Sequence, residues 1–335
     1  MADRSHSLGQ GVDMPFCKSF EALALLAILG LMVPSSAVAE QPKSTKMTYV
    51  YKTVGDCPIK ADVYRPAESG ARPVVLWIHG GALIMGGRGG IDRNFREALL
   101  KNGFIVVSVD YRLAPETKLA EILTDVQDAY RWVREKGPTL FQADPAKIAV
   151  AGGSAGGYLT LTTGYNVEPR PRALVSFWGY GDISSKWYSK PDPFYSRQPP
   201  VSKDEAYRAV GGPVLSESSG RNNRSRFYLY CRQQGLWPKE VTGHDPDTEP
   251  AVFDPWSPVR NVTAAYPPTL LIHGTKDTDV PYGQSEMMAK ELKSKGVEHE
   301  LLTVPEGGHG LAGVPAPVVA KAYGRAVEFI RQHSR

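Results

Sequence analysis

The stretch Ala149-Val150-Ala151-Gly152-Gly153-Ser154-Ala155-Gly156-Gly157 narrows the possible folds more than any other part of the chain. Small apolar residues suited to a buried strand run straight into a serine with glycine two places before it and two after it. This G-x-S-x-G spacing fits a sharp turn from strand to helix, in which the serine holds a strained backbone conformation that neighbouring side chains would obstruct. Such a turn needs a sheet to project from, and it lifts the hydroxyl above the sheet edge. The bare pattern also occurs as a glycine-rich loop with an incidental serine. Its meaning therefore depends on whether a base, an acid and donors for a developing negative charge occur elsewhere in a workable order.

The chain around this turn alternates between strand and helix patterns. Met47 to Tyr51 and Ile59 to Tyr64, parted by Gly55-Asp56, alternate as two half-buried strands and predict an antiparallel pair at a sheet edge. Val74 to Ile78 is a continuous apolar run, as expected for a central strand covered on both faces, and Phe104 to Val109, Lys147 to Gly152 and Ala173 to Trp178 read as further buried strands. Helical stripes lie between them, from about Ile91 to Lys101, from Ala120 to Lys136 with a stop at Gly137-Pro138, and from Ala155 to Tyr165. The pattern resumes with a strand at Thr269 to Gly274, a helix over Tyr282 to Lys295, a strand over Glu300 to Val304 and a helix from about Pro317 to Gln332. The expected fold is α/β, with a mostly parallel central sheet and helices on both faces.

The alternation breaks after the sixth strand. Residues 181–259 are rich in Pro, Gly, Ser, Arg and aromatics, too long for a plain loop and too aromatic for a linker. They are expected to form an inserted cap, with short helices near Ser202 to Val210 and Arg224 to Gln234, between core segments 40–180 and 260–335. The competing possibility is an excursion whose aromatics mainly bury themselves.

Residues 1–39 are set apart from the fold. Lys18 precedes an apolar run from Ala22 to Val33 that is short for a bilayer span, and Pro34-Ser35-Ser36-Ala37-Val38-Ala39 ends in an A-x-A-like site. The expectation is a signal peptide cleaved after Ala39, giving an exported protein without a stable membrane anchor. A buried helix or an uncleaved anchor is the alternative, and translation could begin at Met1 or Met14. The net charge of +4 comes without a dense basic run, which argues against nucleic-acid binding. Cys57 and Cys231 would remain after cleavage of the leader with Cys17, and an exported location would permit them to pair. No CxxC or HExxH pattern occurs, so a structural or catalytic metal is not indicated.

A serine hydroxyl needs a base within hydrogen-bond reach and a third group to orient that base. His309, in the glycine loop Glu306-Gly307-Gly308-His309-Gly310 after the last strand, is the best base. His79 and His273, each before a glycine at a strand end, are better suited to structural roles. Asp277, just beyond the strand at Thr269 to Gly274, is the expected acid, with Asp279 as its rival. His79-Gly80-Gly81-Ala82 supplies the remaining need: the N–H groups of Gly81 and Ala82, with that of Ala155 after the serine, could hold an oxyanion, each donor contributing roughly 3–4 kcal/mol.

These residues, together with Asp110-Tyr111-Arg112-Leu113-Ala114-Pro115-Glu116 and Val280-Pro281, resemble the α/β-hydrolase superfamily, and within it the esterases similar to hormone-sensitive lipase and to acetyl- and feruloyl-esterases. The resemblance implies carboxylester hydrolysis through an acyl-enzyme on Ser154, without a cofactor, and the cap aromatics, as an acyl or alcohol pocket, would favour short-chain, aromatic or acetylated-sugar esters. The partner it implies is a small-molecule or carbohydrate ester. A serine peptidase or amidase, and a non-catalytic binding protein of the same fold, are the alternatives. Two residues depart from the family pattern: Gly153 stands where an acidic residue is usual, and Ala82 where a third glycine is usual.

Overall fold

The computed structural model describes residues 44–219 and 223–334. The leader, its cleavage site and both candidate start positions lie outside the described residues. The strands are β1 (Thr45–Val54), β2 (Cys57–Arg65), β3 (Arg72–Ile78), β4 (Ile105–Val109), β5 (Ala143–Gly153), β6 (Leu174–Phe177), β7 (Thr269–Gly274) and β8 (His299–Val304). They join in one sheet of order β1-β2-β4-β3-β5-β6-β7-β8. β1 and β2 pair antiparallel at the edge, and β2 pairs antiparallel with β4. From β4 to β8 every pairing is parallel.

Strand alternation sends successive side chains to opposite faces, and each face has its own apolar layer. Val74, Leu76 and Ile78 of β3 point into one layer with Ile105, Val107, Val150 and Leu174. Val75 and Trp77 point into the other with Val106, Ala151, Val175, Phe177 and Ile272. Burying each such side chain contributes roughly 1.5–3 kcal/mol before chain entropy is counted.

Helices close both layers. Helix α1 (Arg93–Lys101) starts where the Asp92 carboxylate accepts the N–H groups of Asn94 and Phe95, and it places Phe95 and Leu99 in the second layer. Helix α2 (Leu119–Phe141) and helix α3 (Ala155–Asn166) supply Ile122, Val126, Tyr158 and Leu159 to the first. The sequence pattern stops α2 at Gly137-Pro138, but the helix runs through Pro138 to Phe141. Proline removes one helical hydrogen bond, yet the final turn buries Phe141 against Tyr49 and Trp132, with centroids 6.1 and 5.5 Å away. Gln142, in the left-handed region, then closes the helix with its N–H on the Gly137 carbonyl.

The insert follows β6. It contains α4 (Lys186–Ser189), α5 (Lys203–Tyr207), α6 (Arg224–Gln234), α7 (Trp237–Thr242) and a 3₁₀ turn over Pro250–Trp256. Its aromatics are largely interior: Tyr188, Phe227, Tyr228, Trp237 and Phe253 belong to the same apolar layer as α2 and α3. Tyr188 stacks on Trp237 at 4.0 Å, and the Trp237 indole N–H donates to the Ala82 carbonyl at 2.9 Å. The aromatic richness of the segment therefore goes mainly into attaching it to the sheet. Cys57 and Cys231 are both buried free thiols. The chain ends with α8 (Gly283–Ser294) between β7 and β8 and α9 (Ala316–His333), which packs beside α1.

Candidate active site

Ser154 lies between the last residue of β5 and the first of α3, with φ 56° and ψ −123°. A non-glycine residue pays for this conformation, and the surroundings hold it there. The Ser154 N–H donates to the Phe177 carbonyl at the end of β6, and the Ser154 carbonyl accepts the Tyr158 N–H in the first turn of α3. Any side chain at Gly156 would run into the carbonyls of Ile78 and His79, so the helix can approach β3 only without one. Gly153 has a different neighbour. The Trp178 indole lies 3.3 Å from where a Cβ at Gly153 would stand, and it also meets the His309 ring edge-on at 6.4 Å. The indole occupies the space beside the turn that an acidic side chain at Gly153 would have to enter.

The loops after β7 and β8 bring the other two predicted residues to Ser154. The Ser154 hydroxyl is 3.1 Å from His309 Nε2, and His309 Nδ1 is 2.8 Å from Asp277 Oδ2. With Nδ1 protonated and donating to the carboxylate, Nε2 is left to accept the serine proton. Asp277 is buried. Its Oδ1 accepts the N–H groups of Asp279 and Val280, both at 2.9 Å. Burial works against its charge, but hydrogen bonds from His273 and His309 outweigh burial and hold the carboxyl below the usual range. At His309 burial lowers the pKa, while the bond to Asp277 and the charges of Asp279 and Asp277 raise it, and the net displacement is upward.

His273 takes a place that its sequence context did not reveal. Its Nε2 lies 3.2 Å from Asp277 Oδ2 and 3.1 Å from the Val280 carbonyl, and its Nδ1 is 2.7 Å from Ser285 Oγ. The ring is fully buried and braces the same Asp277 oxygen that His309 contacts. The signal available in the sequence was slight, a histidine four residues before the aspartate at a strand end. Asp279, the rival acid, is not on Nδ1. It faces Nε2 from 3.4 Å, and its Oδ1 accepts from Tyr228 Oη at 2.5 Å and from Arg232 Nη1 at 2.6 Å.

The loop after β3 supplies donors beside the serine. Gly80 packs against the Gly153 carbonyl and the Ser154 side chain. Gly81 has φ 111° and no room for a side chain against Met85, while Ala82 and Leu83 also have positive φ. Among the described residues, the N–H groups of Gly81, Ala82 and Ala155 have no protein acceptor. His79 stacks on Tyr111 at 4.2 Å and, through Nδ1, donates to the Gly80 carbonyl at 2.7 Å. Burial lowers its pKa to about 4, so the ring is a neutral brace under the loop.

A family model described as alpha/beta hydrolase fold matches residues 75–313, a span that contains the turn, the donor loop and both the acid and the base. The chain belongs to the α/β-hydrolase family. Curated relatives include the non-reducing polyketide synthase adrD of Penicillium rubens, 30% identical over 97% of this chain. This chain spans 15% of that relative's length. Among solved structures, a carbohydrate esterase from gut microbiota superposes with a TM-score of 0.64 at 21% identity, covering 88% of this chain and 98% of that one. Esterase 2 of Thermogutta terrifontis, phosphorylated by paraoxon, gives 0.61 at 22% identity, covering 88% and 95%. At these identities the likeness establishes the fold.

In this α/β hydrolase the segment Asp110 to Glu116 acts as a frame for the donor loop. The Tyr111 hydroxyl donates to the His79 carbonyl at 3.0 Å, and the Ala114 N–H donates to the Leu83 carbonyl at 2.8 Å. Arg112 is fixed on Asp125 of α2, through Nε at 2.7 Å and Nη2 at 2.9 Å. Glu116 receives Arg224 of α6, whose Nε also donates to the Ile84 carbonyl at 2.6 Å. The hydrolase thus builds one wall of the site from a strand-end loop and ties it to the insert by a buried ion pair.

Proposed function

We propose that this hydrolase is an exported serine carboxylesterase acting on short-chain, aromatic or acetylated-sugar esters. The carrying observation is the hydrogen-bond chain from Ser154 Oγ to His309 Nε2 at 3.1 Å and from His309 Nδ1 to Asp277 Oδ2 at 2.8 Å. Ser154 Oγ attacks the ester carbonyl carbon while Nε2 takes its proton, and Asp277 stabilises the resulting imidazolium. The carbonyl oxygen, now negative, receives N–H groups of Gly81, Ala82 and Ala155. Collapse breaks the bond to the alcohol, which leaves with the proton from Nε2. Water, deprotonated by the same nitrogen, then releases the acid and restores Ser154. That structural neighbours include esterases supports this reaction class.

The test is turnover of p-nitrophenyl acetate. Ser154→Ala is expected to lower kcat by at least about a thousandfold, as removal of a nucleophile does in comparable machinery. Undiminished turnover by the variant would remove the serine mechanism. Aminoacyl amides cleaved faster than acyl esters would move the assignment to an amidase or peptidase. Export is checked separately by sequencing the N-terminus of the exported protein, where a start at Glu40 is expected.

A further inference from the structure

We propose that Asp279 sets the specificity of the site for the leaving alcohol, selecting esters whose alcohol presents hydrogen-bond donors, as a carbohydrate hydroxyl does, and rejecting alcohols that carry a carboxylate. The inference rests on the esterase reading above and adds a substrate class to it.

The position of the carboxylate is the first ground. Asp279 Oδ2 stands 3.4 Å from His309 Nε2, the same nitrogen that lies 3.1 Å from Ser154 Oγ. Nε2 must hand its proton to the departing alcohol, so that alcohol has to pass beside Asp279.

The second ground is that Asp279 cannot turn away. Its Oδ1 is held by Tyr228 and Arg232, and Arg232 Nη1 also donates to its carbonyl at 3.0 Å. Oδ2 therefore stays turned towards His309, with the Tyr195 hydroxyl also beside the carboxylate. Asp277, by contrast, has both oxygens occupied by His309, His273 and two backbone N–H groups.

The third ground is the sign of the local charge. Arg232 does not cancel Asp279, because its Nη2 is committed to Asp192 at 2.6 Å, leaving two carboxylates to one guanidinium. The guanidinium is also hidden. It is enclosed by the rings of Trp187, Tyr188, Tyr195 and Tyr228 at 4.6–5.8 Å, and the Arg232 side chain is 1% exposed against 17% for Asp279. A substrate meets the acceptor and not the cation. The chain as a whole has a net charge of +4, so long-range attraction would favour anionic esters, the opposite preference.

Four thioacetates with a common readout of free thiol test the proposal: acetylthiocholine, S-acetyl thioglycerol, the neutral S-3,3-dimethylbutyl thioacetate, and S-acetyl-3-mercaptopropionate. The wild-type protein is expected to favour the cationic and the hydroxylated esters over the anionic one by about tenfold or more in kcat/KM. Asp279→Asn keeps the shape and is expected to compress the cation-to-anion ratio by about tenfold. A wild-type protein that cleaves the hydroxylated ester no faster than the neutral one, or that shows no preference for cation over anion, would overturn the proposal whatever the variant does. So would an unchanged ratio in Asp279→Asn. Ser154→Ala run on the same panel separates the two levels. If it is inactive and the ratios are flat, only the role of Asp279 fails; if it stays active, the esterase reading fails first.

Discussion

Helix α6 carries two buried arginines, Arg224 at its first turn and Arg232 near its last, and their surroundings differ in one respect that matters. Arg224 is closed on Glu116 with side-chain exposures of 4% and 3%, and it reaches the carbonyls of Ile84 and Ala114 behind the donor loop. Arg232 is equally enclosed, but its partner Asp279 keeps one oxygen open towards His309. The same buried guanidinium therefore serves as a fastener at one end of the helix and as a mount for an active-site charge at the other. What decides between them is whether the carboxylate has an unused oxygen.

The largest loss is expected at the closed end of α6. Arg224→Met leaves Glu116 buried without its cation, and unfolding in denaturant should show a loss of about 3–5 kcal/mol. Converting Glu116 to leucine in the same protein should recover most of it, because a buried pair replaced as a unit is often close to neutral. A loss below about 1 kcal/mol in the single variant would remove the fastener role. The open end should respond less to the equivalent change. Asp279 and Asp192 remain partly exposed, so Arg232→Met is expected to cost about 1–3 kcal/mol by the same measurement.

A smaller effect separates the two ends by function. In the proposed mechanism His309 works as a base when neutral, and its pKa lies above the ordinary 6.5 because Asp277 and Asp279 outweigh burial. Activity should therefore rise with pH along a limb centred above 6.5 and be lost below it. Asp277 stays ionised throughout, since its own pKa is lowered. Asp279 raises the His309 pKa and Arg232 lowers it. Asp279→Asn should shift the limb to lower pH and Arg232→Met to higher pH, whereas Arg224→Met should leave it in place. Limbs that coincide in all three variants would show that the two ends of α6 do not differ in this way.

The parts of the molecule that were legible in the sequence are those written in local pattern. Largely apolar runs identified β3, β4, β5 and β6 because strands covered on both faces need no polar alternation. The glycines around Ser154 and Gly81 marked the turn and the donor loop because their backbones come too close to other chain for a side chain to fit. The insert was legible as an interruption, and α6 was read at Arg224 to Gln234 as observed. Its bonds were not legible. Arg232 and Asp279 are 47 residues apart, and no periodicity links a residue in the insert to one beyond β7. Trp178 over Gly153 escaped for a related reason, since its positive φ turns the indole back over the serine turn instead of continuing β6. The end of α2 was misjudged because a local rule about Pro138 met a tertiary gain at Phe141.

Whether Ser154 is the nucleophile can be read by trapping it with an organophosphonate. After treatment at neutral pH and digestion, mass spectrometry should find one phosphonyl group on the peptide containing Ser154, and the label should be absent in Ser154→Ala. His309→Ala should slow the labelling by at least about a hundredfold while leaving its position unchanged. A label on another serine, or an unlabelled protein that still hydrolyses p-nitrophenyl acetate, would contradict the account.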